Sequence, residues 1–236
     1  MPNILLWTPE SDYDNQTIKI LAQKIIEFYR SQSHFQIFTT TKQAYIVAVQ
    51  KDPQKGLQTA VNILLKQYDL VLFLIDTDSI QSQHQRLNQQ NSYINQIRRV
   101  VNNKTVFLVE IKQELEAWLL VDCLGICCYY TKQATTRNNA EWQKFSQKYQ
   151  KGDTQFIIEA ELGGKGAKEY LEDFSDAINL KINPNLSQKL KNLKDKRYQE
   201  KDSPSVANHL LINDQTLSRN LSLHQFAQFF TSPEEN

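Results

Sequence analysis

The stretch Val71–Asp78, VLFLIDTD, decides how this chain is read. Val71–Ile75 is an apolar run without alternation, the pattern of a strand covered on both faces. It ends in Asp76 and Asp78, two carboxylates at i and i+2. In an extended strand such residues point to one face, so both aim at one spot just past the strand end. In a parallel α/β sheet that edge is where ligands and metals collect.

The flanking sequence supplies the rest of such a sheet. Asn3–Trp7 reads as a first strand and Asn15–Arg30 as an amphipathic helix, with Ile18, Leu21, Ala22, Ile25, Ile26 and Tyr29 at helical spacing. Phe35–Phe38 and Ala44–Val49 read as short strands, and Pro53–Gln67 as a helix opened by proline. After the Val71–Asp78 stretch come a helix at Gln83–Val101, a buried strand at Thr105–Ile111 and the start of a helix at Glu114–Val121. This alternation predicts an α/β layered domain with a mostly parallel sheet. Thr131–Asn139 is loop-like and Phe156–Ile158 reads as a further short strand. Ala167–Ile178, Leu186–Arg197, Val206–Ile212 and Leu223–Phe230 read as helices. The expected organisation is an α/β domain over 1–130 and a mainly helical region over 131–236.

Composition sets limits. Among 236 residues, 40% are hydrophobic and 22% charged, which suits one large domain, or one domain plus an accessory lobe. Net charge is +1, from 27 basic and 26 acidic residues, so any binding to nucleic acid or membrane needs a local patch. No apolar run approaches the roughly 18–20 residues of a membrane span, and MPNILLWTPESD lacks the features of a secretory signal. No membrane partner is expected. Cys123, Cys127 and Cys128 form an odd cluster that suits a reducing, cytoplasmic setting. They lack the second pair and the nearby histidines of a zinc site, and read as small buried apolar residues. Nucleophile-elbow, Rossmann, Walker and kinase motifs are absent from the sequence.

The acidic residues carry the chemistry. Glu10, Asp12 and Asp14 follow the first strand, Asp76 and Asp78 the central one, and Glu110 ends the next, with Glu114 and Glu116 opening the following helix. Carboxylates crowded on one sheet edge repel unless a cation is present. Mg²⁺ or Mn²⁺, which prefer oxygen ligands, are the natural partners. Such an ion polarises phosphoryl oxygens and activates water. The competing reading makes the same residues helix caps and dipole partners. Trp118 reads as a core anchor. Glu116 reads either as its helix's dipole partner or as a carboxylate beside a metal centre.

The order of these features (strand, Glu-bearing turn, helix, strand ending in D-x-D, strand, further acid) resembles the Toprim catalytic domain. That domain occurs in topoisomerases, primases, OLD-family nucleases and small ribonucleases. ELEAWLLVD (Glu114–Asp122), preceded by VFLVEI, resembles a narrower signature in small uncharacterised bacterial Toprim-like proteins. SPSVANHL and RNLSLHQFAQFF are similar to that family's closing helices. The resemblance implies a Toprim-like, Rossmann-like fold in which Glu10, Asp76 and Asp78 hold Mg²⁺ and carry the catalysis. Ser11 stands where such proteins usually have glycine, and Asp12 or Asp14 can fill the acidic role. The implied function is Mg²⁺-dependent phosphodiester hydrolysis of nucleic acid, in defence against phage or mobile DNA, at times beside a separate ATPase.

Two basic features stand apart. The glycine-rich Glu161–Lys168 precedes a helix and carries Lys165 and Lys168, which suits phosphate as well as a plain loop. Lys189–Lys201, KLKNLKDKRYQEK, reads as a solvated helix face or as phosphate contacts. The alternative to the nuclease is a Toprim-like scaffold that binds a partner protein or nucleotide without turnover. A third reading is a phosphatase or nucleotidyl enzyme acting on a small substrate.

Overall fold

The computed structural model describes residues 2–29, 35–53, 55–77, 89, 92–157, 166–185 and 196–231. The chain divides into two compact units, Met1–Lys112 with Ser222–Asn236, and Gln113–Leu221.

The first unit is built on four parallel strands, β1 (Asn3–Trp7), β2 (Gln36–Thr39), β3 (Leu70–Thr77) and β4 (Val106–Lys112), in the order β2-β1-β3-β4. β3 pairs on both sides, and Val71–Ile75 are at most 2% exposed, which explains the unbroken apolar run. Its alternate residues feed different layers. Leu5, Trp7, Phe73 and Ile75 pack with helices α2 (Lys42–Lys51), α3 (Gly56–Leu64) and α4 (Tyr93–Val100) through Tyr45, Val61 and Ile97. The other face takes α1 (Asp12–Phe28), which buries Ile18, Leu21, Ala22 and Ile25. The turn Gln228–Phe230 contacts α1, and the Phe229 ring meets Phe107 at 5.2 Å. Ser222 Oγ accepts the Lys112 amide at 3.3 Å, tying the end of the chain to β4. Parallel crossovers are right-handed. The chain reverses its direction across the sheet after β2, so α1 and the later helices fall on opposite faces.

Two segments depart from expectation. Ala44–Val49, whose β-branched residues suggest a strand, lies inside α2. Thr41 caps that helix by accepting the Ala44 amide, and Tyr45 and Ala48 are buried while Val47 is 53% exposed, a helical rather than alternating pattern. In place of a strand at Phe156–Ile158, Thr154–Phe156 forms a 3₁₀ turn whose Asp153 cap accepts the Gln155 amide at 3.0 Å. Ile158 lies outside the described residues, as do most of 83–91 and all of 186–195. The helix expected at Pro53 begins at Gly56.

The second unit carries only helices among its described residues: α5 (Leu115–Leu119), α6 (Cys123–Thr131), α7 (Ala140–Gln147), α8 (Ala167–Ile182), α9 (Ser203–His209), α10 (Asp214–Leu217) and the start of α11 (Leu221–Ala227). Trp118 is fully buried, as a core anchor should be, and the three cysteines are buried free thiols. Burial pushes the Cys123 thiol well up and that of Cys127 to about 12. No helix among the described residues is long and apolar enough to cross a membrane.

Candidate functional site

The strand order places a topological switch point between β1 and β3. The chain leaves β1 toward β2 and then crosses back to β3 on the other side. In open parallel sheets this is where the crevice opens past the strand ends. β1 ends at the pair Trp7↔Phe73, whereas β3 continues to Thr77. Leu74–Thr77 therefore extend past the last pair with β1, the strand from which the turn carrying Glu10 departs.

That turn is built by local bonds. Asn15, 4% exposed, accepts the Thr8 amide at 3.2 Å and donates to the Thr8 and Ser11 carbonyls at 3.3 and 3.1 Å. Ser11 caps α1, its Oγ accepting the Asp14 amide at 3.1 Å. The Glu10 amide donates to Thr8 Oγ1 at 3.2 Å. Glu10 is half-buried on the side of Tyr45. Burial, then Tyr93 and the Glu10 charge, push the Tyr45 phenol well above its ordinary value. Its hydroxyl donates to Gln96 Oε1 at 3.0 Å.

On β3, Asp76 is half-buried, and strand parity turns it to the α1 face, opposite Ile75. The next residue, Thr77, is buried and donates from Oγ1 to the Ile111 carbonyl at 2.9 Å, fixing the strand end against β4. Asp78 lies outside the described residues.

The other acids divide by role. Asp12 Oδ1 accepts the Lys42 amide at 3.0 Å and so holds the first turn of α2. Asp14 sits in the first turn of α1, where a carboxylate complements the dipole. Glu110 turns to α4, where it pairs with Arg98 at 2.8 Å and Lys112 at 3.4 Å. Partial burial raises its carboxyl pKa, but the Arg98 and Lys112 contacts outweigh burial and hold it below the usual range. Glu114 and Glu116 belong to the second unit. Glu114 Oε2 accepts the Lys168 amide at 2.8 Å, so the N-terminus of α8, expected to suit phosphate, already holds a carboxylate. Glu116, 8% exposed, accepts the Tyr198 hydroxyl at 3.1 Å. Lys165 lies outside the described residues.

One residue had no place among the sequence candidates. Asp122 is 5% exposed and accepts the Gly125 amide at 3.0 Å, the Leu211 amide at 2.7 Å and Arg137 at 2.8 Å. It ties α6, the Arg137 turn and the end of α9 together. The signal was a D-x-x-G at a helix start, which reads as an ordinary cap.

No protein-family model, curated protein or solved structure matches the chain. Chemistry alone therefore tests a metal. Among the described residues no group of three or more His, Cys, Asp or Glu gathers in a ligating arrangement. Glu10 and Asp76 lie at one edge of the sheet, Glu10 toward Tyr45 and Asp76 toward the α1 face, and each offers the carboxylate oxygens a hard cation takes, Mg²⁺ commonly using one or two and keeping several waters. The absence of imidazole or thiolate from this pair disfavours zinc.

Proposed function

We propose that this chain is a divalent-metal-dependent phosphodiesterase of the Toprim type that cleaves nucleic acid. One observation supports the reading most: the turn bearing Glu10 and the strand end bearing Asp76 flank the switch point of a parallel sheet. Asp76 and Asp78, with Glu10, are the residues that would hold Mg²⁺ or Mn²⁺. A bound divalent ion supplies positive charge to the phosphoryl oxygens and lowers the pKa of water. In this reading Glu10 binds the metal or acts as the general base that accepts the proton of an attacking water. Thr77, tied to β4, keeps the end of β3 in position.

The test uses labelled single- and double-stranded DNA and RNA with Mg²⁺, Mn²⁺ or EDTA. Cleavage that needs metal and falls at least a hundredfold in both Asp76→Asn and Glu10→Gln supports the proposal. Absence of cleavage with every metal, together with absence of Mn²⁺ binding by calorimetry, refutes it. The second reading, a binding scaffold without turnover, draws on the bonds that engage Asp12, Glu110, Glu114 and Glu116 in the framework. Nucleotide binding without cleavage would favour it.

A further inference from the structure

The second unit holds a cleft that the proposed chemistry does not use. This half-open cleft of about 400 Å³ is bordered by the C-terminal ends of α6 and α8 and the segment 196–202. Lys132, Lys196 and Lys201 line it, together with Tyr129, Tyr130 and Asp202. All three lysines are exposed, and none takes part in the ion pairs among the described residues. Arg197 also lines the cleft, and Glu172 and Asp176, both paired to it, exceed its charge by one. The lining itself carries three lysines and Arg197 against Asp202. Helix C-termini attract cations through their dipoles, and Lys132 at the left-handed C-cap of α6 fits that role. Lys196 lies in the turn before Tyr198, and Lys201 lies in the 3₁₀ turn Glu200–Asp202 ahead of α9, so the C-terminal ends of α6 and α8 do not account for them.

The walls are pinned. Asn179 Nδ2 donates to the Lys196 carbonyl at 2.9 Å, and the Tyr198 amide to Ser175 Oγ at 2.9 Å. Tyr198 is 2% exposed and anchored on Glu116. The Tyr129 hydroxyl donates to Asp202 at 3.2 Å, and its ring meets Tyr130 edge-on at 4.9 Å. A cleft held open by such bonds needs little reordering on binding.

We propose that this cleft binds the phosphates of a single-stranded polynucleotide, with Lys132, Lys196 and Lys201 as its contacts and the two tyrosines offering ring surface to bases. Its volume of about 400 Å³ falls in the range of small-ligand sites, so it takes on the order of one nucleotide of a strand. The occupant rests on the nuclease reading, and a binding measurement in EDTA keeps the two separable.

The experiment is fluorescence anisotropy of the full chain with a labelled oligothymidylate of about 12 nucleotides, in EDTA, across a salt series. Combined Lys132→Gln, Lys196→Gln and Lys201→Gln should weaken binding at least tenfold. The slope of log affinity against log salt should fall by about 2, since each single-strand phosphate contact contributes about 0.7. Lys51→Gln, Lys66→Gln and Lys104→Gln, exposed in the first unit, should change neither. Equal affinity and slope in both triple variants would overturn the proposal, as would absence of binding by the unmodified chain. Adenosine monophosphate that binds as tightly as the oligonucleotide would overturn the strand in favour of a mononucleotide. Cleavage abolished by Asp76→Asn while oligonucleotide binding persists would separate the two sites.

Discussion

Gly56 opens α3, and replacing it with alanine sets two effects against each other. Alanine is favoured over glycine in a helix by about 1 kcal/mol, largely because glycine loses more backbone freedom on folding. On that ground Gly56→Ala stabilises the protein. The structure reverses the sign. A Cβ at this position would lie 1.9 Å from the Ala48 carbonyl oxygen and 3.1 Å from its carbon. Carbon and oxygen normally approach to about 3.3 Å, so α2 and α3 would have to part by about 1.4 Å. The obstructing atoms are backbone and cannot rotate away. The Gly56 amide also donates to the Asp52 carbonyl at 2.7 Å, which closes the turn between the helices. Overpacking of this kind costs about 1–3 kcal/mol, and more where backbone must move. The expected net loss is about 2 kcal/mol after the helix gain is subtracted. For a chain of this length that lowers Tm by about 4–8 °C. Equilibrium urea unfolding with an unchanged slope measures it. Gly152→Ala, with open space around its Cβ, is the control and should shift stability by less than about 0.5 kcal/mol. Gly56→Ala as stable as the unmodified chain would refute the packing argument.

Two further outcomes test local physics. Glu110 has a lowered folded pKa, so the stability it contributes is present above its unfolded value near 4.3 and is lost as pH falls through the folded value. Arg98→Gln should therefore cost less than about 1 kcal/mol at neutral pH, because the pair is partly exposed, and the gap should close below about pH 4 in urea titrations. Ser11 has φ −147° and ψ 165°, an extended conformation that any residue adopts, so this turn needs an oxygen acceptor rather than a glycine. Ser11→Ala should cost about 1 kcal/mol and Ser11→Gly only a few tenths by thermal unfolding, and the opposite order would defeat the cap assignment.

The parallel sheet was legible because its signal is strong and local. β3 is apolar throughout, and its register partners β1 and β4 are nearly so. α2 was misread because Ile46, Val47 and Val49 favour strands by local preference, whereas the burial of Tyr45 and Ala48 against the sheet is a tertiary choice. The division after β4 had no sequence marker, since Gln113 carries no proline or glycine, only a backbone at φ 72°. The site was legible as a set of acids but not as their assignment. Acidic residues at strand ends and helix starts serve both metals and orphan amides, and only contacts separate the two uses. Asp12 and Glu114 each take a helix amide, and Glu110 takes Arg98. Strand order brings the turn after β1 and the end of β3 to one edge of the sheet. β1 and β3 are separated by 62 residues between Trp7 and Leu70, with β2 and three helices in between. A sequence places Glu10 and Asp76 each at the end of a strand. Only the crossover back over β1 makes those ends neighbours, and this is why the switch point, not the D-x-D spacing, is the stronger argument for a site.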